Sequence, residues 1–226
     1  MSQPGRKWIE FIGPPGSGKS TLAQGLNSNY AVSLTDLHAG NKFAPTKLRH
    51  NLSRAFNQLF KIVAPLYRDE ILTNYPGILV ATHSMLNLYE DGERMYRHAM
   101  EEWARLGYAI NHLSSDEIYV GDDGPYSFYL RLLKFKDWSP QKIFMHLPHP
   151  DKFVLVHASS QTCLERQESR SGGRTSRIKH LPRQDALSIL EESHDRGKQM
   201  INAAERAGIE TETICTEDTR PDSISL

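Results

Sequence analysis

Cysteine is almost missing from this chain: Cys163 and Cys215 are the only two in 226 residues. They are far apart, and neither has a companion at metal-ligand spacing. The pair fits free thiols in a reducing compartment and allows one disulfide at most. Long apolar runs are also missing. Nothing approaches the roughly 20 residues that span a bilayer, and the first residues contain no signal-peptide core. The expectation is a soluble, cytoplasmic chain with no membrane partner. Neither sign of charge is in excess, with Lys+Arg and Asp+Glu both at 27. A dominant nucleic-acid function would show a basic surplus, so no nucleic-acid partner is expected, although a local patch can hide in such a balance. No Pro/Gly/Ser-rich linker divides the chain, which argues for one domain over 1–226. There is no Asn-Lys-x-Asp motif of the guanine-specific kind.

What is present is an alternation of strand-like and helix-like segments. A short apolar run over 7–12 reads as a buried strand and enters a Gly-rich turn. Leu22, Ala23 and Leu26 then follow at helical spacing over 21–28. A second strand is expected over 30–34 and a helical stripe over 45–72. The segment 78–89 fits helix or strand, and 92–106 reads as helix. Further strands are expected over 117–121, 153–157 and 209–214, and further helices over 127–135, 162–169 and 185–207. Gly208 is placed to end the last helix. This order favours a three-layer α/β fold with a mainly parallel central sheet. The region 46–115 is then a helical excursion on the substrate side.

The most specific motif is Gly13-Pro14-Pro15-Gly16-Ser17-Gly18-Lys19-Ser20, which has Walker A spacing between a strand and a helix. Glycines allow backbone conformations that bring successive amides onto phosphate oxygens. Lys19 suits the β- and γ-phosphates, and the Ser20 hydroxyl suits Mg2+. Ser17 and Thr21 are further candidates for phosphate contact, or are structural.

Asp122 and Asp123 stand at the end of the 117–121 strand, where parallel sheets present catalytic groups. Alternation along the strand sends their side chains to different sides. Asp122 is the candidate to deprotonate a hydroxyl or to hold Mg2+ through water. Asp36, after the second strand, competes for the acidic role or binds substrate. Arg49, Arg54, Arg68, His83, Tyr89 and Arg97 are weaker candidates for an acceptor pocket.

The segment 166–183 reads as a mobile lid. It carries Arg166, Arg170, Arg174 and Arg177, with Gly172-Gly173 interrupting any continuous helix. Guanidinium forks bind phosphate oxygens in pairs, and a closing lid excludes water.

The run 11–21, Asp122-Asp123-Gly124-Pro125 after a strand, and 153–158 followed by 163–170 together resemble the P-loop kinases of nucleosides and nucleotides, particularly the thymidylate-kinase-like group. The resemblance implies a P-loop NTPase fold, ATP and Mg2+ as cofactors, and phosphoryl transfer to a small-molecule acceptor, and a homodimer is compatible with it. It makes Lys19, Asp122, Arg170 and Arg174 catalytic and puts Ser20 and Asp122 on the metal. Residues 13–21 and Arg166 would hold the nucleotide, and Asp36, Arg49 and Asp123 the substrate. Thymidylate kinases carry Asp-Arg where this chain has Asp122-Asp123. That difference argues against thymidylate and for a hydroxyl-bearing, less anionic acceptor. A non-kinase P-loop NTPase and a nucleotide-binding interaction protein are the competing readings.

Overall fold

The computed structural model describes residues 7–25, 30–31, 64–112, 118–122, 124–170, 173–175 and 178–217. Five parallel strands form one sheet in the order β2-β3-β1-β4-β5. They are β1 (Lys7–Ile12), β2 (Tyr30–Ala31), β3 (Ile118–Gly121), β4 (Lys152–His157) and β5 (Glu210–Cys215). Each parallel neighbour requires a crossover of a dozen residues or more, and helices occupy those crossovers. They are α1 (Lys19–Gly25), α2 over 64–74, α3 (Gly77–Leu88), α4 (Gly92–His112), α5 (Tyr126–Tyr129), α6 (Pro140–His146), α7 (Ser160–Glu168) and α8 (Arg183–Arg206).

β1 lies in the middle, paired with β3 through Glu10 and Gly121 and with β4 through Ile12 and Leu155. A central strand is covered on both faces, which explains its nearly unbroken apolar run. Alternation sends Ile9 and Phe11 to one face, where they meet Leu22 and Ala23 of α1. Trp8 and Ile12 go to the other, into a larger core shared with α3, α4 and α8. Complete burial of one such aliphatic or aromatic side chain contributes about 1.5–3 kcal/mol.

α4 is amphipathic. Met95, Ala99 and Trp103 follow at steps of four and are buried, while Glu93 sits in the first turn, where the helix dipole favours an acid. Trp103 Nε1 donates to the Tyr129 hydroxyl at 2.7 Å, and that hydroxyl lies 2.6 Å from Thr82 Oγ1. All three side chains are fully buried, so this network ties α3, α4 and α5 together without an orphaned polar group.

The segment 78–89, open between helix and strand in the sequence, is helical. The expected helix over 127–135 divides into α5 and a 3-10 turn, Leu130–Lys134. Tyr126, Tyr129 and Leu132 are buried at steps of three, and three residues per turn keeps them on one line. α6 was not foreseen. The Ser139 side chain accepts from Lys142 N and Pro140 begins the helix, a normal start for a segment too short to show periodicity. α8 ends as expected, with Gly208 at φ +75° and Ile209 N donating to Ala204 O at 3.0 Å. Of the expected helix over 45–72 only the part from 64 is described, and of the strand over 30–34 only its first two residues. No described helix is long and apolar enough to cross a membrane.

Candidate functional site

The chain leaves β1 at Ile12 and turns through Gly13, Gly16 and Gly18, all at positive φ, before α1 begins at Lys19. Glycine is needed at the first two for a second reason. A Cβ on Gly13 would run into the Val156 carbonyl oxygen of β4, and one on Gly16 into the Cys163 carbonyl oxygen of α7. The turn is therefore clamped against the end of the sheet. Lys19, 9% exposed, lies back over it, with Nζ donating to Gly13 O at 3.0 Å and Pro14 O at 3.2 Å. Ser17 is fully buried, and its hydroxyl has no hydrogen-bond partner among the described residues.

Two side chains brace this turn from behind. Gln167 of α7, fully buried, donates from Nε2 to Pro15 O at 2.9 Å. Its Oε1 accepts from Thr175 N at 3.1 Å. Thr216, just past β5, donates from Oγ1 to Ser17 O at 2.7 Å. Arg166 binds Thr216 twice, at Oγ1 (2.8 Å) and at the carbonyl (3.0 Å). Next to it, Glu217 accepts from Ser159 N and Thr162 Oγ1, and these bonds hold its carboxyl down at about 2.

In front of the turn opens a cavity of about 580 Å³. Gly13, Pro15, Gly16, Gly18, Lys19 and Ser20 line one side, and Asp122 and Arg170 also reach it. Arg94 and His98 of α4, Phe128 of α5, Arg131 and Lys134 of the 3-10 turn, and Arg196 of α8 line it as well. His98 stacks on Phe128 with ring centres 6.5 Å apart, and the Arg131 guanidinium sits 5.6 Å from the same ring centre. Tyr89 lines the cavity too, and its hydroxyl donates to Arg131 O at 2.7 Å.

Asp122 follows β3 between Gly121 and Gly124, and both glycines pack on a buried acid that sequence reasoning overlooked. Glu10, on the core face of β1, accepts from Trp8 Nε1 and from Tyr126 N, each at 3.0 Å. Its carboxylate fills the space that side chains at Gly121 and Gly124 would need. An acid inside an otherwise apolar strand was the available signal.

Of the other expected site residues, Pro14 contributes its carbonyl to Lys19, while Thr21 is exposed and does not line the cavity. Arg166 is engaged at Thr216, away from the cavity lining. Arg174 is held by Glu168, with Nη2 at 2.5 Å, and by Leu181 O at 2.9 Å. Glu168 also pairs with Arg183 at 2.8 Å, and the two guanidiniums hold its carboxyl below the usual range. Arg68 pairs with Asp69, and neither His83 nor Arg97 lines the cavity. Asp36, Arg49, Arg54, Asp123 and Arg177 lie outside the described residues.

The residues missed are mostly cations on helices. Arg94, Lys134 and Arg196 look in sequence like any solvated helical charge, and only the fold turns them toward one space. Among the described residues no group of three or more His, Cys, Asp or Glu is placed to hold a metal ion. No protein-family model matches the sequence, and no curated protein matches it significantly.

Proposed function

We propose that this protein is an ATP-dependent phosphotransferase of the P-loop kinase type, transferring a phosphoryl group to a hydroxyl-bearing small molecule. The observation that carries the reading is one arrangement: a glycine turn at the end of the central strand, with Lys19 folded over it, opens onto a cavity that also receives Asp122. The strand order, with β1 between β3 and β4, suits a P-loop NTPase fold.

The residues fit a magnesium nucleotide. The Ser17 hydroxyl is buried with no hydrogen-bond partner among the described residues, and the Lys19 ammonium reaches over the turn to the carbonyls of its own loop. Phosphate oxygens carry negative charge and carbonyl oxygens do not, so the Lys19 ammonium exchanges Gly13 O and Pro14 O for the β- and γ-phosphates. The Ser20 hydroxyl would hold Mg2+, with Asp122 reaching the ion through water. Mg2+ supplies neutralisation of the charge on the phosphates. One divalent ion held by one or two protein oxygens and substrate phosphates needs no larger carboxylate cluster.

In transfer, the acceptor oxygen bonds to the γ-phosphorus as the bond to the β-phosphate oxygen breaks. Asp122 receives the acceptor's hydroxyl proton. Lys19 and Arg170 hold the charge spread over the moving phosphoryl oxygens. Arg174 braces the lid through Glu168 and the Leu181 carbonyl. The absence of a guanine-specific motif favours ATP as the donor. A non-kinase NTPase is the second reading, and the walled space beside Asp122, which offers room for an acceptor, favours the kinase. The test is ADP release measured against a panel of acceptors. The proposal expects stimulation by a subset of them, and a constant rate with every acceptor defeats it.

A further inference from the structure

An acid stands inside the apolar strand that leads into the glycine turn. Glu10 is fully buried and precedes Gly13 by three positions. Both of its oxygens accept from N–H groups, Oε2 from Trp8 Nε1 and Oε1 from Tyr126 N, each at 3.0 Å. Such a pair of donors suits a carboxylate, which offers an acceptor at each end, and mismatches an amide, which offers one. Gly121 is its register partner on β3. A Cβ on Gly121 or on Gly124 would run into Oε2. The carboxylate thus packs against the chain on both sides of Asp122, at Gly121 before it and at Gly124 and Tyr126 N after it. Capping α5 would need only the bond from Tyr126; the two glycines and the bond from Trp8 go beyond a cap. Asp122 lines the cavity, and so do Ser127 and Phe128 of the helix that Tyr126 begins.

We propose that Glu10 is a positioning residue, whose carboxylate sets the spacing between the glycine turn at the end of β1 and Asp122 at the end of β3. Glu10 does not line the cavity, so it acts through Asp122 rather than on the reacting atoms. The inference rests on the kinase reading for the task of Asp122. A proton passes to a base only within hydrogen-bond reach, and a misplacement of about 1 Å can cost on the order of 10²-fold in rate. The parallel ladder between β1 and β3 ends at Gly121, so it fixes the strands and not the chain that leaves them. Glu10 spans that gap: rooted in the strand that leads to Gly13, it holds the chain that carries Asp122.

The test compares single-turnover transfer from γ-labelled ATP to a pool of small-molecule acceptors in the full chain and in Glu10→Gln, each with and without Asp122→Asn. Glu10→Gln keeps the size of the side chain and mismatches one of its two donors. With circular dichroism unchanged, transfer should slow by at least about tenfold, while the Kd for ATP measured without Mg2+ stays the same. In the Asp122→Asn background the same change should slow the residual transfer by less than about twofold, because residues that act as a unit are not additive. Equal slowing in both backgrounds, the signature of a merely structural role, or no slowing in either, overturns the proposal. Gly124→Ala presses on the same carboxylate from the other side. It is expected to repeat the pattern, and it carries the comparison if Glu10→Gln does not fold. Should the unaltered protein label no acceptor, the kinase reading fails, and crystal structures then decide the spacing. An Asp122 carboxylate displaced by about 1 Å or more in Glu10→Gln supports the positioning role, and one that stays in place overturns it.

Discussion

Gln167 and Pro15 are 152 positions apart, yet the buried Gln167 amide donates to the Pro15 carbonyl oxygen at 2.9 Å. The same side chain accepts from Thr175 N at 3.1 Å, so one residue of α7 ties the glycine turn to the segment around Thr175. Replacing it with leucine leaves a part-buried carbonyl and a part-buried amide without these partners, and the cost of such a loss is at most about 1–3 kcal/mol for each group. Gln167→Leu is expected to lower stability in urea denaturation by about that amount and to weaken ATP binding, whereas a purely local helix effect would leave ATP affinity unchanged.

Gly16→Ala combines an unfavourable φ of +88° with a clash against the Cys163 carbonyl. Strain of this kind costs on the order of 1–3 kcal/mol. The expected outcome is a folded but less stable protein whose ATP affinity falls, read by thermal denaturation and by nucleotide titration. Gly173→Ala serves as the control: its φ is also positive, at +67°, but among the described residues no atom beyond its chain neighbours lies within 4 Å of the added methyl.

Asp122→Asn keeps size and removes the base. If Asp122 takes the acceptor's proton, kcat should fall by roughly 10²–10⁴, the usual contribution of general-base catalysis, while the Kd for ATP measured without Mg2+ changes little. Pre-steady-state transfer and equilibrium ATP binding, measured on the same preparation, separate the two effects.

The Glu217 carboxyl, lowered from 4.5 to about 2 by bonds from Ser159 and Thr162, gives stability a defined pH dependence. Because its folded value is depressed, its contribution is fully present above the unfolded value and is lost as pH falls through the folded one. Comparing the protein with Glu217→Gln, the stability difference should be constant above about pH 5 and shrink between about pH 4.5 and 2. A difference that does not change across that window would show that the charge of Glu217 is not what holds Ser159 and Thr162.

The parts of the site that were legible in the sequence are those in which local chain geometry and chemistry coincide. The spacing of Gly13, Gly16, Gly18 and Lys19 specifies a backbone shape, and the structure gives all three glycines positive φ. The apolar runs of β1 and β4 declare strands covered on both faces. What was not legible depends on long-range placement. Arg94 and Arg196 share a cavity only because α4 and α8 pack on the same side of the sheet. Arg166 has the spacing of a lid arginine, yet it is bound to Thr216, a partner 50 positions away. The 3-10 turn after α5 escaped notice because a step of three differs from a helical stripe by little over so short a run.

The central claim is transfer, so the most direct measurement is a single-turnover experiment with γ-labelled ATP, Mg2+ and a pool of small-molecule acceptors, comparing the unaltered protein with Lys19→Ala. The account predicts label in an acceptor-derived product for the unaltered protein, and none for Lys19→Ala at unchanged circular dichroism. Label that appears only as free phosphate whatever acceptor is present, or transfer that survives Lys19→Ala, would contradict it.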